Sequence, residues 1–501
     1  MTVRIAPRQE SQQRGWILLA LMCTMMLAAM DTTIVATAIP QIVGDLGGFS
    51  MFSWVFSVYL LAQTVTIPIY GKLADLYGRK PVLLIGTIIF LIGSATSGAS
   101  WNMTSLILFR GLQGLGAGSI MATVNTIAGD IYSISERAKV QGWLSSVWGM
   151  AAIIGPTLGG ALAEYASWRW IFLINLPIGI VSILLIVIFF KEHIKKQSHK
   201  IDYVGAIMML AAGTALIFTL MEGGQSWPWF SLKGLGMITL SIVLILITIL
   251  IETKSPEPIL PNWVWRNKIL TGANLSMICM GAILLGPGMY LPLFSQSVLG
   301  LGAIAAGLIL ASSSIGWPIA SWYSGKLYKK MDFRNTAILG SILITISSLL
   351  FLFIPFNTSP WLLVMNQILL GGGFGLLSTP TLVGVQSIVT WGQRGVVTGS
   401  NMFFRYLGQS IGAAVLGGVF NAAISNQLKT TPIDIKKLLP ENVNDVITVL
   451  QSGKASDSVE DYLRHLFYSA THHVYFLMAG LGIVSMIFLL MLPRKFPVID
   501  E

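Results

Sequence analysis

The chain has 501 residues, of which 54% are hydrophobic and only 10% charged, whereas an ordinary soluble domain carries roughly 25% charged residues. A water-soluble globule of this length would lack its charged skin, and the same figures exclude disorder and collagen-like repetition. The formal charge of +10 has no polar domain to sit on, so it does not indicate nucleic-acid binding.

Residues 1–15 form a polar N-terminal tail. The run from Trp16 to Ile39 is longer than a signal-peptide core and carries Asp31, so it reads as a first membrane span despite the cleavage-like triplet Ala36-Thr37-Ala38. Apolar helical runs follow near 52–71, 81–99, 104–129, 138–163, 170–190, 203–221, 233–252, 269–298, 303–325, 335–355, 361–389, 396–423 and 474–492, making fourteen in all. Each is near the roughly 20 residues that a span requires. Cys23 and Cys279 lie far apart inside these runs and read as small core residues, neither disulfide partners nor metal ligands.

An even number of spans places both termini on one side. Of the 31 Lys and Arg residues, only Arg169 and Lys233 fall in the short loops of the opposite side. Because cytoplasmic loops carry the basic excess, the termini are expected in the cytoplasm of a multi-pass plasma-membrane protein. The polar stretch 425–470 is then an extracellular loop and 493–501 a cytoplasmic tail.

The chain also repeats. At one offset Arg137, Gly142, Gly155 and Gly160 match Arg394, Gly399, Gly412 and Gly417, and Gly71-Lys72-Leu73 matches Gly325-Lys326-Leu327 at a similar one. The expected plan is an all-helical membrane protein: a six-helix bundle over 16–190, two additional helices over 200–255, and a second six-helix bundle over 267–492.

Two charges stand inside the first bundle. Asp31 lies about 22 Å along its helix from the cytoplasmic edge, and Arg110 enters from the other side by roughly 9 Å, so the two share a depth. Each charge costs on the order of 2.5–3.5 kcal/mol at a helix centre, and such residues face a bundle interior or a wet cavity. Asp31 is the candidate for taking up and releasing a proton, or exchanging it for a cationic substrate, with burial and Arg110 acting in opposite senses on its protonation. The alternative is a static Asp31–Arg110 pair that only fixes packing. Met30, Gln113 and Arg405 are candidate cavity residues. For Met30 helix packing is the competing explanation, and for Arg405 it is bonding to carbonyls. The glycines of 111–118 let helices approach closely.

Several stretches resemble signature motifs of the major facilitator superfamily. Gly71-Lys-Leu-Ala-Asp75-Leu-Tyr-Gly78-Arg79-Lys80 is similar to its loop after the second helix, Leu108-Phe-Arg110-Gly-Leu-Gln113-Gly114 to its fourth-helix motif, and Gly155-Pro156-Thr-Leu-Gly159-Gly160 to the fifth-helix motif of its exporters. Met30-Asp31-Thr32-Thr33 through Pro40 and Trp168-Arg169-Trp170 through Gly179 resemble the fourteen-span drug:proton antiporter branch. That resemblance implies proton-coupled efflux of lipophilic, cationic small molecules by a monomer using alternating access, with the proton as coupling ion and no cofactor, metal or ATP. It implies gating roles for Gly71, Asp75, Gly78, Arg79, Lys80, Glu136, Gly155, Pro156, Gly159 and Gly160, with Asp75 and Arg79 in a charge cluster that Glu136 joins. Asp130 reads as interfacial. The second half departs from the pattern, with Lys329 in the place of Asp75 and Gln367 in that of Arg110.

Competing readings are a dedicated exporter of one antibiotic or metabolite, an importer, an intramembrane enzyme and a transporter-like receptor. No Walker loop, His-Glu-x-x-His motif or Gly-x-Ser-x-Gly elbow is present.

Overall fold

The computed structural model describes residues 11–47, 51–192, 202–224, 226–429 and 457–499. Helices follow the apolar runs because lipid leaves a spanning backbone no partner but itself. The first half comprises α1 (Ser11–Thr37), the short α2 (Ile39–Leu46), α3 (Phe52–Tyr77), α4 (Arg79–Gly98), α5 (Met103–Ile131), α6 (Ile134–Tyr165), and a sixth crossing made of α7 (Trp170–Leu173) and α8 (Asn175–Phe189). The additional pair is α9 (Tyr203–Glu222) and α10 (Leu232–Lys254). After the short α11 (Asn262–Arg266), the second half holds α12 (Lys268–Ser297), α13 (Ala303–Ala311), α14 (Ser313–Phe351), α15 (Pro360–Ser387), α16 (Arg394–Lys429) and α17 (Asp457–Leu490). Each half has its own apolar core.

Local sequence sets the helix ends. Asn102 opens α5 by accepting from the Ser105 backbone N–H at 2.7 Å, while the Ser105 hydroxyl accepts from that of Asn102 at 3.2 Å. Asp202 caps α9 at Gly205 and Ser231 caps α10 at Gly234. Gly78 turns α3 into α4 at φ +97°, a conformation that suits glycine.

Two boundaries differ from the sequence expectation. Thirteen helices among the described residues are long and apolar enough to cross a membrane, one fewer than the apolar runs. The runs 303–325 and 335–355 are joined in one 48-residue helical segment, Ile304–Phe351, which turns at the non-helical Met331 and Asp332. At 1.5 Å per residue its length of about 72 Å exceeds twice a core of roughly 30 Å. The stretch 425–470 is also helical at both ends, since α16 runs to Lys429 and α17 starts at Asp457; residues 430–456 lie outside the described residues. The first turns of α17 bury Val459, Leu463, Leu466 and Phe467 between charged residues. That helical period is amphipathic, so it contains no uninterrupted apolar run.

Candidate functional site

The deepest polar group joins α1, α3 and α5. Asp31, Arg110 and Gln113 are each 0% exposed. The Arg110 guanidinium donates to Asp31 Oδ2 at 2.5 Å and to Gln113 Oε1 at 2.7 Å, and Gln113 Nε2 donates to Asp31 Oδ1 at 2.7 Å. The three side chains close a ring of bonds that uses both carboxylate oxygens. Arg110 Nε donates to the Val55 carbonyl, and its guanidinium lies 4.2 Å from the Tyr59 ring centroid. Arg110 Nη2 and the Tyr59 hydroxyl are buried without a partner. Asp31 therefore points into the first bundle and away from lipid.

One turn along α3, Gln63 Nε2 donates to the Tyr406 hydroxyl of α16 at 3.5 Å, which places a polar contact between the halves close to this ring. Met30 is buried in the core of the first half. Arg405 is partly exposed on α16, its Nε is buried without a partner, and its guanidinium lies 5.1 Å from the Tyr406 ring centroid.

A second polar group lies on the face that carries Arg14 and Phe496, near the two ends of the described chain. Asp75 Oδ1 accepts from the Gly395 N–H at 2.9 Å and Oδ2 from the Val396 N–H at 2.8 Å, so α3 caps the N-terminus of α16 in the other half. Arg79 donates to Asp75 at 2.8 Å, to Asp130 at 2.8 Å and to the Trp391 carbonyl, and stacks 3.5 Å from the Trp391 ring centroid. Arg394 reaches Asp130 at 3.2 Å. Glu192, at the end of the sixth crossing, accepts from the backbone N–H groups of Arg79 and Lys80 at 2.9 and 2.8 Å, and burial holds its carboxyl above the usual carboxylate range. The Lys80 ammonium bonds to the Val187 and Phe190 carbonyls. Gly71 faces Gly395 and Gly399 so closely that a Cβ would strike the Gly395 carbonyl.

The sequence expectation of one cluster holding Asp75, Arg79 and Glu136 needs correction. Glu136 opens α6, where it accepts from the backbone N–H and hydroxyl of Ser133 and lies 3.7 Å from Arg14. With its side chain 48% exposed, it stands apart from Asp75. Asp130 lies at the end of α5, as expected, and there it joins Arg79 to Arg394. Sequence reasoning missed Arg394, Glu192 and Tyr59. Arg394 carried a signal, its match to Arg137 in the repeat, whereas an aromatic residue inside an apolar run carries none.

A second seam joins α6 and α14, which run antiparallel along it. The Tyr328 hydroxyl donates to the Ile134 carbonyl at 2.5 Å, and Gly142 and Gly149 face Pro318 and Ser314. The same face of α6 continues to Ile153 and Pro156, which are both exposed. On α14's side Gly307, two turns beyond Ser314, is exposed too. The halves thus touch along the face bearing the termini, and the residues that continue the seam toward the other face, Ile153 and Pro156 of α6 and Gly307 of α13, are exposed. Gly155 packs so tightly on Thr33 of α1 that a Cβ would collide with its hydroxyl, and Thr33 bonds across to the Ala151 carbonyl at 3.0 Å. Gly159 is buried, while Gly160 has open space beside it.

Among the described residues no group of three or more His, Cys, Asp or Glu is placed to hold a metal ion.

Comparison with known proteins agrees with this architecture. The family model described as Major Facilitator Superfamily matches residues 21–413. The "Multidrug transporter protein MdtP" of Bacillus subtilis is 34% identical over 465 residues, covering 93% of this chain and 86% of that protein. "Multidrug resistance protein 3" of the same organism is 33% identical, covering 90% and 89%, and "Efflux pump FUS6" of Gibberella moniliformis is 30% identical, covering 86% and 79%. The crystal structure of the human organic anion transporter MFSD10 (TETRAN) superposes with a TM-score of 0.65 over 96% of this chain and 100% of that one, and at 14% identity it speaks for the fold alone. The chain is a multi-pass membrane protein, a secondary transporter rather than an enzyme, and belongs to the Major Facilitator Superfamily.

Proposed function

We propose that the chain exports lipophilic small molecules, cations among them, in exchange for entering protons, by alternating access across the plasma membrane with both termini in the cytoplasm. The observation that carries this reading is the ring formed by Asp31, Arg110 and Gln113, an ionisable carboxyl fully buried one helix away from the seam between the halves. Protonation of Asp31 would release Arg110, whose guanidinium already stacks on Tyr59. Tyr59 and Gln63 lie one turn apart on α3, and Gln63 contacts Tyr406, so the change is delivered beside the moving seam. Relatives named as multidrug transporters and efflux pumps support the direction of transport.

The basic loops gather on the closed face, which the positive-inside rule makes cytoplasmic. The arrangement is then the outward-facing member of an alternating pair. One proton moving down about 100 mV contributes about 2.3 kcal/mol, enough for roughly a fifty-fold accumulation of a neutral compound. In proteoliposomes with an imposed pH gradient, Asp31→Asn should fold and bind a lipophilic dye yet lose proton-driven flux. Full flux from that variant would reject the role of Asp31.

A further inference from the structure

We propose that Arg405 is the anion-holding group of the substrate site, so that the compounds carried include ones bearing a carboxylate, sulfonate or phosphate on a lipophilic body. This rests on the export reading above and extends its substrate class to anionic amphiphiles.

The position of Arg405 follows from its own helix. Thr398 of α16 accepts from Gln386 Nε2 at 2.9 Å, and the same amide donates to the Asn125 carbonyl of α5 at 3.1 Å. The Thr398 face of α16 therefore lies beside Gln386 of α15, which reaches α5 of the first half, and eleven residues before Arg405 on nearly the same face Arg394 meets Asp130 of α5. Arg405 is seven residues beyond Thr398, within about 20° of the same face and about 10 Å further from the Asp75–Arg394 end. Its neighbour Tyr406 meets Gln63 across the seam. Its side chain is partly exposed on a helix that packs against both halves.

Its chemistry is unfinished. Nε is buried without an acceptor, and among the described residues no carboxylate pairs with the guanidinium. One turn back, Asn401 is 0% exposed and neither its amide oxygen nor its nitrogen has a partner. Deep in the first half the positive charge of Arg110 is matched by Asp31, whereas among the described residues no carboxylate stands beside Arg405. A charge so placed is costly and calls for a counter-ion. A planar guanidinium takes a carboxylate or phosphate by two parallel bonds, and one turn away the Asn401 amide holds a donor that no other group uses. Tyr406 and the apolar walls suit the rest of an amphiphile.

The test uses purified full-length protein in nanodiscs of neutral lipid and a matched pair of probes, a xanthene dye as its free carboxylate and as its methyl ester, read by fluorescence anisotropy. Arg405→Gln should weaken binding of the carboxylate at least tenfold while the ester stays within threefold, and Arg405→Lys should keep part of the preference. Equal loss of both probes, or loss of neither, overturns the proposal. Should Arg405→Gln fail to fold, the wild-type protein still decides. A long-chain carboxylate must then displace the dye at least tenfold better than the matching amide, and equal displacement rejects the site. Displacement of the carboxylate dye by phosphatidylglycerol in wild type but not in Arg405→Lys would assign the site to a lipid headgroup and overturn it as a substrate group. Binding is read without a pH gradient, so failure here leaves proton-driven flux of the ester standing, and failure of flux leaves anion binding readable.

Discussion

Glu192 shows how one side chain can make the closed face responsive to pH. It accepts from two consecutive backbone N–H groups at the start of α4, yet burial outweighs those bonds and raises its pKa. A carboxyl whose pKa is higher folded than unfolded binds more protons when folded, so its contribution is complete below the unfolded value and is lost as pH rises through the folded one. The thermal midpoint of the wild-type protein should therefore fall between pH 5 and pH 7 by more than that of Glu192→Gln. Parallel slopes for the two proteins would show that Glu192 does not supply the effect. Charged residues in apolar surroundings such as Asp31 and Arg110 were legible in the sequence, because lipid makes them costly and therefore purposeful. Asp130 was not, since a carboxylate at a helix end is usually solvated, and only the fold shows that it bridges Arg79 and Arg394. Glu136 misled for the mirror reason: it stands beside the right loop, but its carboxylate caps its own helix.

At the scale of elements, α3 and α16 meet where neither has a side chain in the way. Gly71 lies on Gly395 and Gly399, and this contact lets Asp75 reach two N–H groups at the start of α16. Gly71→Leu should wedge the two helices apart. With Cys23 and Cys279 replaced by Ser, spin labels at Ser135→Cys and Lys329→Cys should report a longer distance in that variant, and an unchanged distribution would mean that the contact does not hold the face closed. The corresponding turn of the second half is built differently. Asp332 takes a positive φ of 66° where the first half has Gly78, and Phe333 stands in the place of Arg79, stacking on Tyr328 and Phe496 at centroid distances of 4.6 and 5.7 Å. One turn latches through charge and the other through aromatic packing. The repeat made the two turns comparable in sequence, but their unlike chemistry emerges only from their neighbours.

At the scale of the molecule, transport by rocking requires the α6–α14 seam to open where it is now shut. A Cβ on Gly149 would lie 2.8 Å from that of Ser314, close enough for a disulfide after slight adjustment. Oxidised Gly149→Cys with Ser314→Cys should lose flux, and reduction should restore it. Undiminished flux from fully cross-linked protein would rule out rocking about this seam. Apolar runs and charge asymmetry made the helix content readable, because the bilayer imposes one rule on every span. The joined segment Ile304–Phe351 and the early start of α17 escaped, since a polar turn and an amphipathic helix each break a run without ending a structure.

The additional pair of helices has a consequence for how a compound arrives. α9 lies along α3, with Val65 against Gly213 and the Trp54 ring tilted 5.4 Å from that of Phe218, and it touches α16 as well. Lys72 ties the following connector to the same helix through Glu257 at 3.1 Å. The α3–α16 flank is thus shielded from the acyl chains along its length. On the export reading proposed above, a molecule partitioning out of the outer leaflet would meet α9 on that flank before it reached the α3–α16 contact.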